Sequence, residues 1–261
     1  GTEGQNSASL PGLAGGELDE SFAPAEPDAG SGAAWLRTTA RREGDVYVVN
    51  GTRRYITNAP SADIFALMAR TDPQQKGAGG VTAFIVEKDS PGVTVGARVE
   101  KLGLHAAEMV ALTFADVRVP KANLLGGVNR GFEIARAVVE SGRIDIAAQA
   151  VGIAQACLDK SVAHAKERRQ FGRPIAEFEA IQWMLADSRT ELDASRLLTL
   201  RAAQRKEAGK PFTREAAMAK LFASEAADRI CNRCVQLHGG YGYVRDFPAQ
   251  SRLRAVRGTA N

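Results

Sequence analysis

Along the first half of the chain the apolar positions come in short runs with a period of two, and along the second they recur every third or fourth residue. The change falls near residue 126. Before it, "DVYVVNGTRRYIT" alternates apolar and polar side chains on both sides of Asn50-Gly51. An Asn-Gly pair supplies the positive φ angles of a type I′ turn, so this stretch predicts a hairpin. "DIFALMAR", "VTAFIVE", "VTVGARVE" and "MVALTFADVRVP" continue the strand pattern with no helix between them, which predicts an antiparallel barrel or sandwich. After Gly131 the pattern is helical. "FEIARAVVESGRIDIAAQAVGIAQACLDKSVAHAKERRQ" is a long Ala-rich helix. "PIAEFEAIQWMLADSRTELDASRLLTLRAAQRKEAGK" predicts a second, with Pro174 near its first turn, Phe178, Ile181 and Leu185 on its packed face and Gly209 as its stop. A third runs from about Thr213 to Leu237 and stops at Gly239-Gly240. Ala-rich faces let helices approach closely and favour a bundle. The fold class is therefore α+β, with strands and helices segregated: a β domain over 20–125 and a helical domain over 126–261.

Composition narrows the function without naming it. With 44% hydrophobic and 25% charged residues the chain reads as globular. No window approaches the roughly eighteen consecutive apolar residues of a membrane span. A net charge of +4 suits anionic ligands such as nucleotides and does not argue for nucleic acid or a membrane surface. Cys157, Cys231 and Cys234 are too few for a disulfide scaffold and suggest a reducing compartment. "CNRC" lies inside a helical run without a second cysteine pair, so it reads as helix with one thiol on the packed face. His105, His164 and His238 show no ligand spacing, and no metal site is expected.

Three local patterns carry chemistry. "FAPAEPDAGSG", residues 22–32, has the Pro/Gly backbone and the Ser31 hydroxyl that suit a phosphate or cofactor. "ERRQFG", residues 167–172, aims two guanidinium groups from a helix end, either at the macrodipole or at a phosphate beside Phe171. "QLHGGYGY", residues 236–243, follows a helix end, whereas phosphates prefer helix starts, so locally it reads as a helix stop.

Taken in order, "AEPDAGS", "VNGTRRYITNA", "KLGLHAAE", "VRVP", "GRIDIAAQAVGIAQACLD", "AKERRQFGRPI", "REAAMAKLFASEAAD" and "QLHGGYGYVRDFP" resemble the acyl-CoA dehydrogenase family, closest to its short-chain and branched-chain types. The resemblance covers essentially the whole chain. It implies an N-terminal helical domain, of which residues 1–19 would be the entry segment, then a middle β domain and an up-down four-helix bundle. It also implies a homo-oligomer, dimer or tetramer, with FAD between domains and subunits. The implied compartment is the cytoplasm, or the mitochondrial matrix in a eukaryote. Phe22, Ala25 and Ser31 match the segment that lines the flavin, with Ser31 also near the acyl-CoA. Tyr55, Ile56 and Thr57 match the "WIT" that covers one flavin face. Arg168, Phe171, Glu179, Gln236, Gly239, Gly240 and Thr259 match cofactor positions, several of them reaching FAD bound mainly by a neighbouring subunit. Arg143 and Gly258 match substrate positions. The implied reaction removes an α-proton from an acyl-CoA thioester while the β-hydrogen leaves as hydride to flavin N5, the electrons passing on to an electron-transferring flavoprotein.

Departures from the family pattern leave two other readings open. Pro24 and Ala25 stand where family members carry a backbone N–H and a Thr aimed at the flavin edge. Tyr55 replaces a Trp, Gly32 an Asp and Glu179 a Gln. The catalytic Glu expected between Arg257 and Gly258 is absent, and the alternative position for the base is Gly142. Either a segment carrying the base is missing at that joint, or the chain is a non-catalytic partner subunit of a heteromeric dehydrogenase. A related flavin oxidase or monooxygenase is the third reading.

Overall fold

In a computed structural model of the chain, which describes residues 1–28, 30 and 35–260, the first tight turn between strands lies at Gly44-Asp45 rather than Asn50-Gly51. It joins β2 (Thr39–Glu43) to β3 (Val46–Thr57), with Glu43 opposite Val46 and Gly44 at φ +63°. The predicted Asn-Gly hairpin is thus corrected: β3 runs straight through that pair as a bulge. Its register against β7 (Met109–Pro120) slips between Val49 and Gly51. Asn50 holds the slip in place: its side-chain amide donates to Asp116 Oδ1 and its Oδ1 accepts the Asp116 N–H, both at 2.9 Å. Gly51 is required for a different reason than a turn, because a Cβ there would lie 2.8 Å from the Thr38 backbone.

The other strands are β1 (Glu20–Ala23), β4 (Ile64–Arg70), β5 (Val81–Glu87), β6 (Val93–Val95) and β8 (Leu124–Leu125). They form one eight-stranded sheet in the order β6-β7-β3-β2-β4-β5-β8, with β1 pairing β4. The pairing is antiparallel except that β1 and β2 each meet β4 in parallel. Its path has two ends, so the sandwich describes it better than the closed barrel. Val49, Ile56, Phe65, Leu67, Phe84, Leu112 and Phe114 fill its core. Strand β6 is shorter than "VTVGARVE" predicts.

Before the sheet, α1 (Glu3–Gly15) is a helix that the pattern did not announce. Thr2 and Gln5 close its start as a capping box, and the Gln5 amide donates to the carbonyls of Ala122 and Leu124 at 2.6 and 2.9 Å.

Four long helices follow: α2 (Gly131–Glu167), α3 (Glu179–Glu207), α4 (Thr213–His238) and α6 (Pro248–Ala260), with the four-residue α5 (Gly240–Tyr243) between the last two. Helix α3 begins later than predicted. Pro174 instead closes a two-residue ladder between β9 (Arg169–Gln170) and β10 (Arg173–Pro174), and Phe178 occupies the N-cap. The packed face of α3 also differs, since Phe178, Ile181 and Leu185 are only half-buried. The buried stripe is Ser188, Leu192, Ser195, Thr199 and Ala202. Its hydroxyls donate to carbonyls one turn back at 2.6–2.8 Å, so small polar residues pack without leaving a polar group bare. Helix α4 carries its own buried i,i+3/i+4 stripe, Ala216, Ala219, Ala223, Ala227, Ile230 and Cys234, made mostly of small residues.

The chain divides into two compact units, Gly1–Glu100 with His105–Ala137 and Lys101–Leu104 with Val138–Asn261. The first turns of α2 belong to the first unit: Gly131 sits where a Cβ would be 2.5 Å from the Thr82 backbone. No described helix is long and apolar enough to cross a membrane.

Candidate functional site

Helix α4 ends at His238 because Gly239 takes φ +57°, ψ −134°, a conformation that side chains resist. The Gly239 N–H closes on the Gln236 carbonyl at 3.1 Å, and the chain then turns at once into α5. Beside this break lies a cavity of about 630 Å³, lined by His164, Arg168, Gln236, His238, Gly239, Gly240, Tyr241 and Asp246 among others. It gathers the predicted residues Arg168, Gln236, Gly239 and Gly240 within the second unit. A Cβ built on Gly239 or Gly240 would meet nothing within 4 Å; the positive φ of Gly239 still demands glycine there, whereas nothing in the protein requires Gly240 to be bare.

Arg168 follows the last turn of α2, its N–H bonded to the His164 carbonyl at 2.8 Å and its guanidinium 5.6 Å over the Tyr241 ring. The β9–β10 ladder turns at Phe171 and Gly172, both with positive φ, and leaves Phe171 92% exposed with its edge toward Phe178. Phe171 does not line the cavity. The His164 and His238 rings stack at 4.3 Å with 20° between planes. Burial first, then the charges of His238 and Arg168, push the His164 imidazole below its ordinary range, with Glu167 opposing.

In the first unit, Phe22 ends β1 half-buried, and the Ala25 carbonyl accepts the Arg54 N–H at 3.0 Å. Ser31 and Gly32 lie outside the described residues. What anchors this segment is a pair the sequence did not reveal. Arg53, fully buried, meets Glu26 at 3.0 Å and donates to the Pro24 carbonyl at 3.2 Å and to the Met68 carbonyl. Glu26 in turn accepts the N–H groups of Arg37 and Thr38 at 2.6 and 2.8 Å. Burial would raise the Glu26 carboxyl, but the Thr38 side chain, those two N–H groups and the Arg53 charge outweigh it and hold it below the usual range. Burial pushes the Arg53 guanidinium down to about 10, against the pull of Glu26.

Tyr55 has φ +61° and sits half-exposed at a second β3–β7 register slip, with the Arg54 guanidinium 4.9 Å over its ring. Ile56 is buried in the β core, so its side chain faces away from the surface that carries Tyr55 and Thr57.

Glu179 is exposed at the first position of α3, and Arg143 lies on α2 close enough to Lys220 to lower that ammonium's pKa, after burial. Helix α6 runs unbroken through Arg257, Gly258 and Thr259. Thr259 is fully buried and gives its hydroxyl to the Val256 carbonyl at 2.7 Å. Arg257 pairs with Asp228 at 3.2 Å. The reading of "CNRC" is corrected in one respect: both thiols, not one, are buried. Cys231 Sγ lies 3.4 Å from Cys157 Sγ, so all three cysteines share one packed spot between α2 and α4. No group of three or more metal-ligating side chains occurs among the described residues. His164, His238 and Tyr241 were missed as site residues because they lie 74 or more positions apart across the cavity or were read as a helix stop.

Residues 21–117 match the middle domain of acyl-CoA dehydrogenases, and residues 129–260 match their C-terminal domain. A probable acyl-CoA dehydrogenase of Bacillus subtilis, YngJ, is 46% identical over 98% of this chain and 68% of its own length. The caffeyl-CoA reductase-Etf complex subunit CarC of Acetobacterium woodii is 43% identical, with the same coverage. The solved butyryl-CoA dehydrogenase of Megasphaera elsdenii superposes with a TM-score of 0.97 at 42% identity, over 99% of this chain and 68% of that one.

Proposed function

This chain belongs to the acyl-CoA dehydrogenase family of flavoprotein oxidoreductases, and from that membership we propose that it binds FAD and dehydrogenates an acyl-CoA thioester between its α and β carbons. The observation that carries the reading is the cavity at the end of α4, which collects Arg168, Gln236, Gly239 and Gly240. Its chemistry fits a dinucleotide. A guanidinium supplies a fixed cation for a diphosphate. Two glycines leave open space where a Cβ would otherwise stand between ligand and backbone. FAD, when bound, supplies the acceptor for the β-hydrogen.

The protein's own share is to hold and orient. Tyr55, presented half-exposed by its bulge, offers an aromatic face for stacking. The Arg53–Glu26 pair fixes residues 24–26 and 37–38 of the segment that would line the flavin. Removing the α-proton needs a carboxylate, and the two family positions for one carry Gly142 and the Arg257–Gly258 joint. A homo-oligomer completing the site with a second copy, and an electron-transferring flavoprotein as acceptor, belong to the same proposal; CarC comes from a complex with such a protein.

Anaerobic addition of short-chain acyl-CoA to the FAD-loaded chain tests it. Bleaching of the flavin absorbance supports dehydrogenation, and failure to take up FAD refutes it. One observation favours a second reading, a non-catalytic partner subunit: α6 passes Arg257–Gly258 without interruption and without a carboxylate. FAD uptake without bleaching selects that reading. Bleaching followed by peroxide release in air selects an oxidase.

A further inference from the structure

His164 and His238 form part of the wall of the α4-end cavity, and nothing in the reading above uses them. The protonation of His238 is legible from its bonds. Its Nδ1 lies 2.7 Å from the Cys234 carbonyl oxygen, which can only accept, so Nδ1 carries a hydrogen. Nε2, across the ring from that bond, is a bare lone pair whenever the imidazole is neutral. A lone pair repels a phosphate oxygen. His238 can therefore meet an anion through a hydrogen bond only as the imidazolium.

Without a ligand the surroundings resist charge on the stacked partner: burial, then the charges of His238 and Arg168, hold His164 below its ordinary range. The His164 ring lies parallel at 4.3 Å, and Arg168 already brings a cation to the same cavity. Two imidazolium rings at that spacing repel, so charge on one ring opposes charge on the other. Glu167, at the end of α2, acts on His164 in the opposite sense, and Asp246 lies on the cavity wall. The Cys234 thiol, 3.8 Å from Nδ1, stays neutral because its pKa is raised. A diphosphate placed beside Arg168 would favour a protonated ring on the cavity wall.

We infer that His238, backed by His164, is a phosphate-binding residue of this cavity, and that a phosphate-bearing ligand enters together with a proton taken up by the stacked pair. The inference rests on the dinucleotide reading and adds to it a direction: affinity falls as pH rises, by up to about tenfold per unit above the free pair's pKa. It also separates His238 from Arg168, whose contribution is independent of pH in this range.

Calorimetric titration of the flavin-free full chain with FAD, and separately with adenosine diphosphate, tests it. Buffers matched at pH 7.5 but differing in ionisation enthalpy report the protons exchanged. The expected result is uptake of a substantial fraction of a proton with both probes. His238→Gln keeps a neutral N–H donor and should bind with affinity that no longer varies with pH. His164→Phe keeps a stacking ring and should retain uptake at a shifted pH. Thermal melts of both variants establish that they are folded. Binding of both probes without proton uptake, or with uptake unchanged in His238→Gln, overturns the inference and leaves the dinucleotide reading standing. Proton-linked binding of adenosine diphosphate with no binding of FAD upholds the inference and refutes the flavin. Binding of neither probe refutes both.

Discussion

Replacing Glu26 by Ala should be among the most damaging single changes in the first unit. Arg53 is 0% exposed, and its charge is matched by one carboxylate and two carbonyls. Removing Glu26 leaves a buried guanidinium with only the carbonyls, and breaking a buried pair in this way costs about 3–5 kcal/mol. The same change strips the N–H groups of Arg37 and Thr38 of their acceptor, at about 1 kcal/mol each if water cannot replace it. The expected loss is therefore about 5–7 kcal/mol, or about 3–5 kcal/mol if water reaches those two groups. Arg53→Met is gentler, about 2–3 kcal/mol, because Glu26 keeps its two backbone donors and can take up a proton. The double variant should lose less than the two singles summed, by about 1–3 kcal/mol, since neither charge is then stranded. The assay is urea unfolding followed by tryptophan fluorescence in a Trp183→Phe background. Trp35, two residues from Arg37, is then the only tryptophan and reports on the first unit. A Glu26→Ala cost under about 1 kcal/mol, or strict additivity in the double variant, would show that the pair is solvated and refute the reasoning.

The same carboxyl predicts acid sensitivity. Its folded pKa is depressed, so its stabilisation is fully present above the unfolded value of about 4.5 and is lost as pH falls through the folded value. Urea midpoints measured from pH 6 down to about 3 should fall more steeply in the wild type than in Glu26→Gln. Gly240→Val and Gly242→Ala should part company although two residues separate them. A Cβ at Gly240 meets nothing, so Val should shift the melting temperature little while weakening FAD about tenfold. A Cβ at Gly242 would lie 2.3 Å from the Val235 carbonyl oxygen, so Ala should cost about 1–3 kcal/mol in unfolding. Equal loss of stability and FAD in Gly240→Val would return that glycine to a purely structural role. Cys157, Cys231 and Cys234 should resist iodoacetamide in the native protein and react on unfolding, because all three are buried, and hydrogen bonding between them and burial raise the thiols of Cys157, to about 12, and Cys234. Rapid native labelling, read by mass spectrometry, would contradict their packing.

The segregation of strands and helices was legible because period two and period 3.6 are written in side-chain polarity. The bundle was legible because Ala-rich stripes are. What misled was chemistry with more than one use. Asn50-Gly51 serves a bulge as readily as a turn, and only the Asp116 partner, 66 positions on, decides between them. The buried stripe of α3 was hidden because Ser188, Ser195 and Thr199 count as polar until their hydroxyls are seen bonded within the helix. Arg53 reads as an ordinary charged strand residue, since nothing near it in sequence announces Glu26 as its partner. Of the candidate site, the cluster at the α4 end emerged from family order alone. Locally those residues spell only a helix stop, which the structure also contains.

The bulge at Tyr55 carries one more consequence. In a regular strand every second residue faces the core, so enlarging an outward side chain presses on its cross-strand neighbours. Here Arg53 and Ile56 are both buried, and the two residues between them, Arg54 and Tyr55, sit together outside the pleat. Position 55 is thus uncoupled from the packing on either side. Selection can trade one aromatic ring for another there, retuning what the surface offers a flat ligand, while the sheet beneath is inherited unchanged.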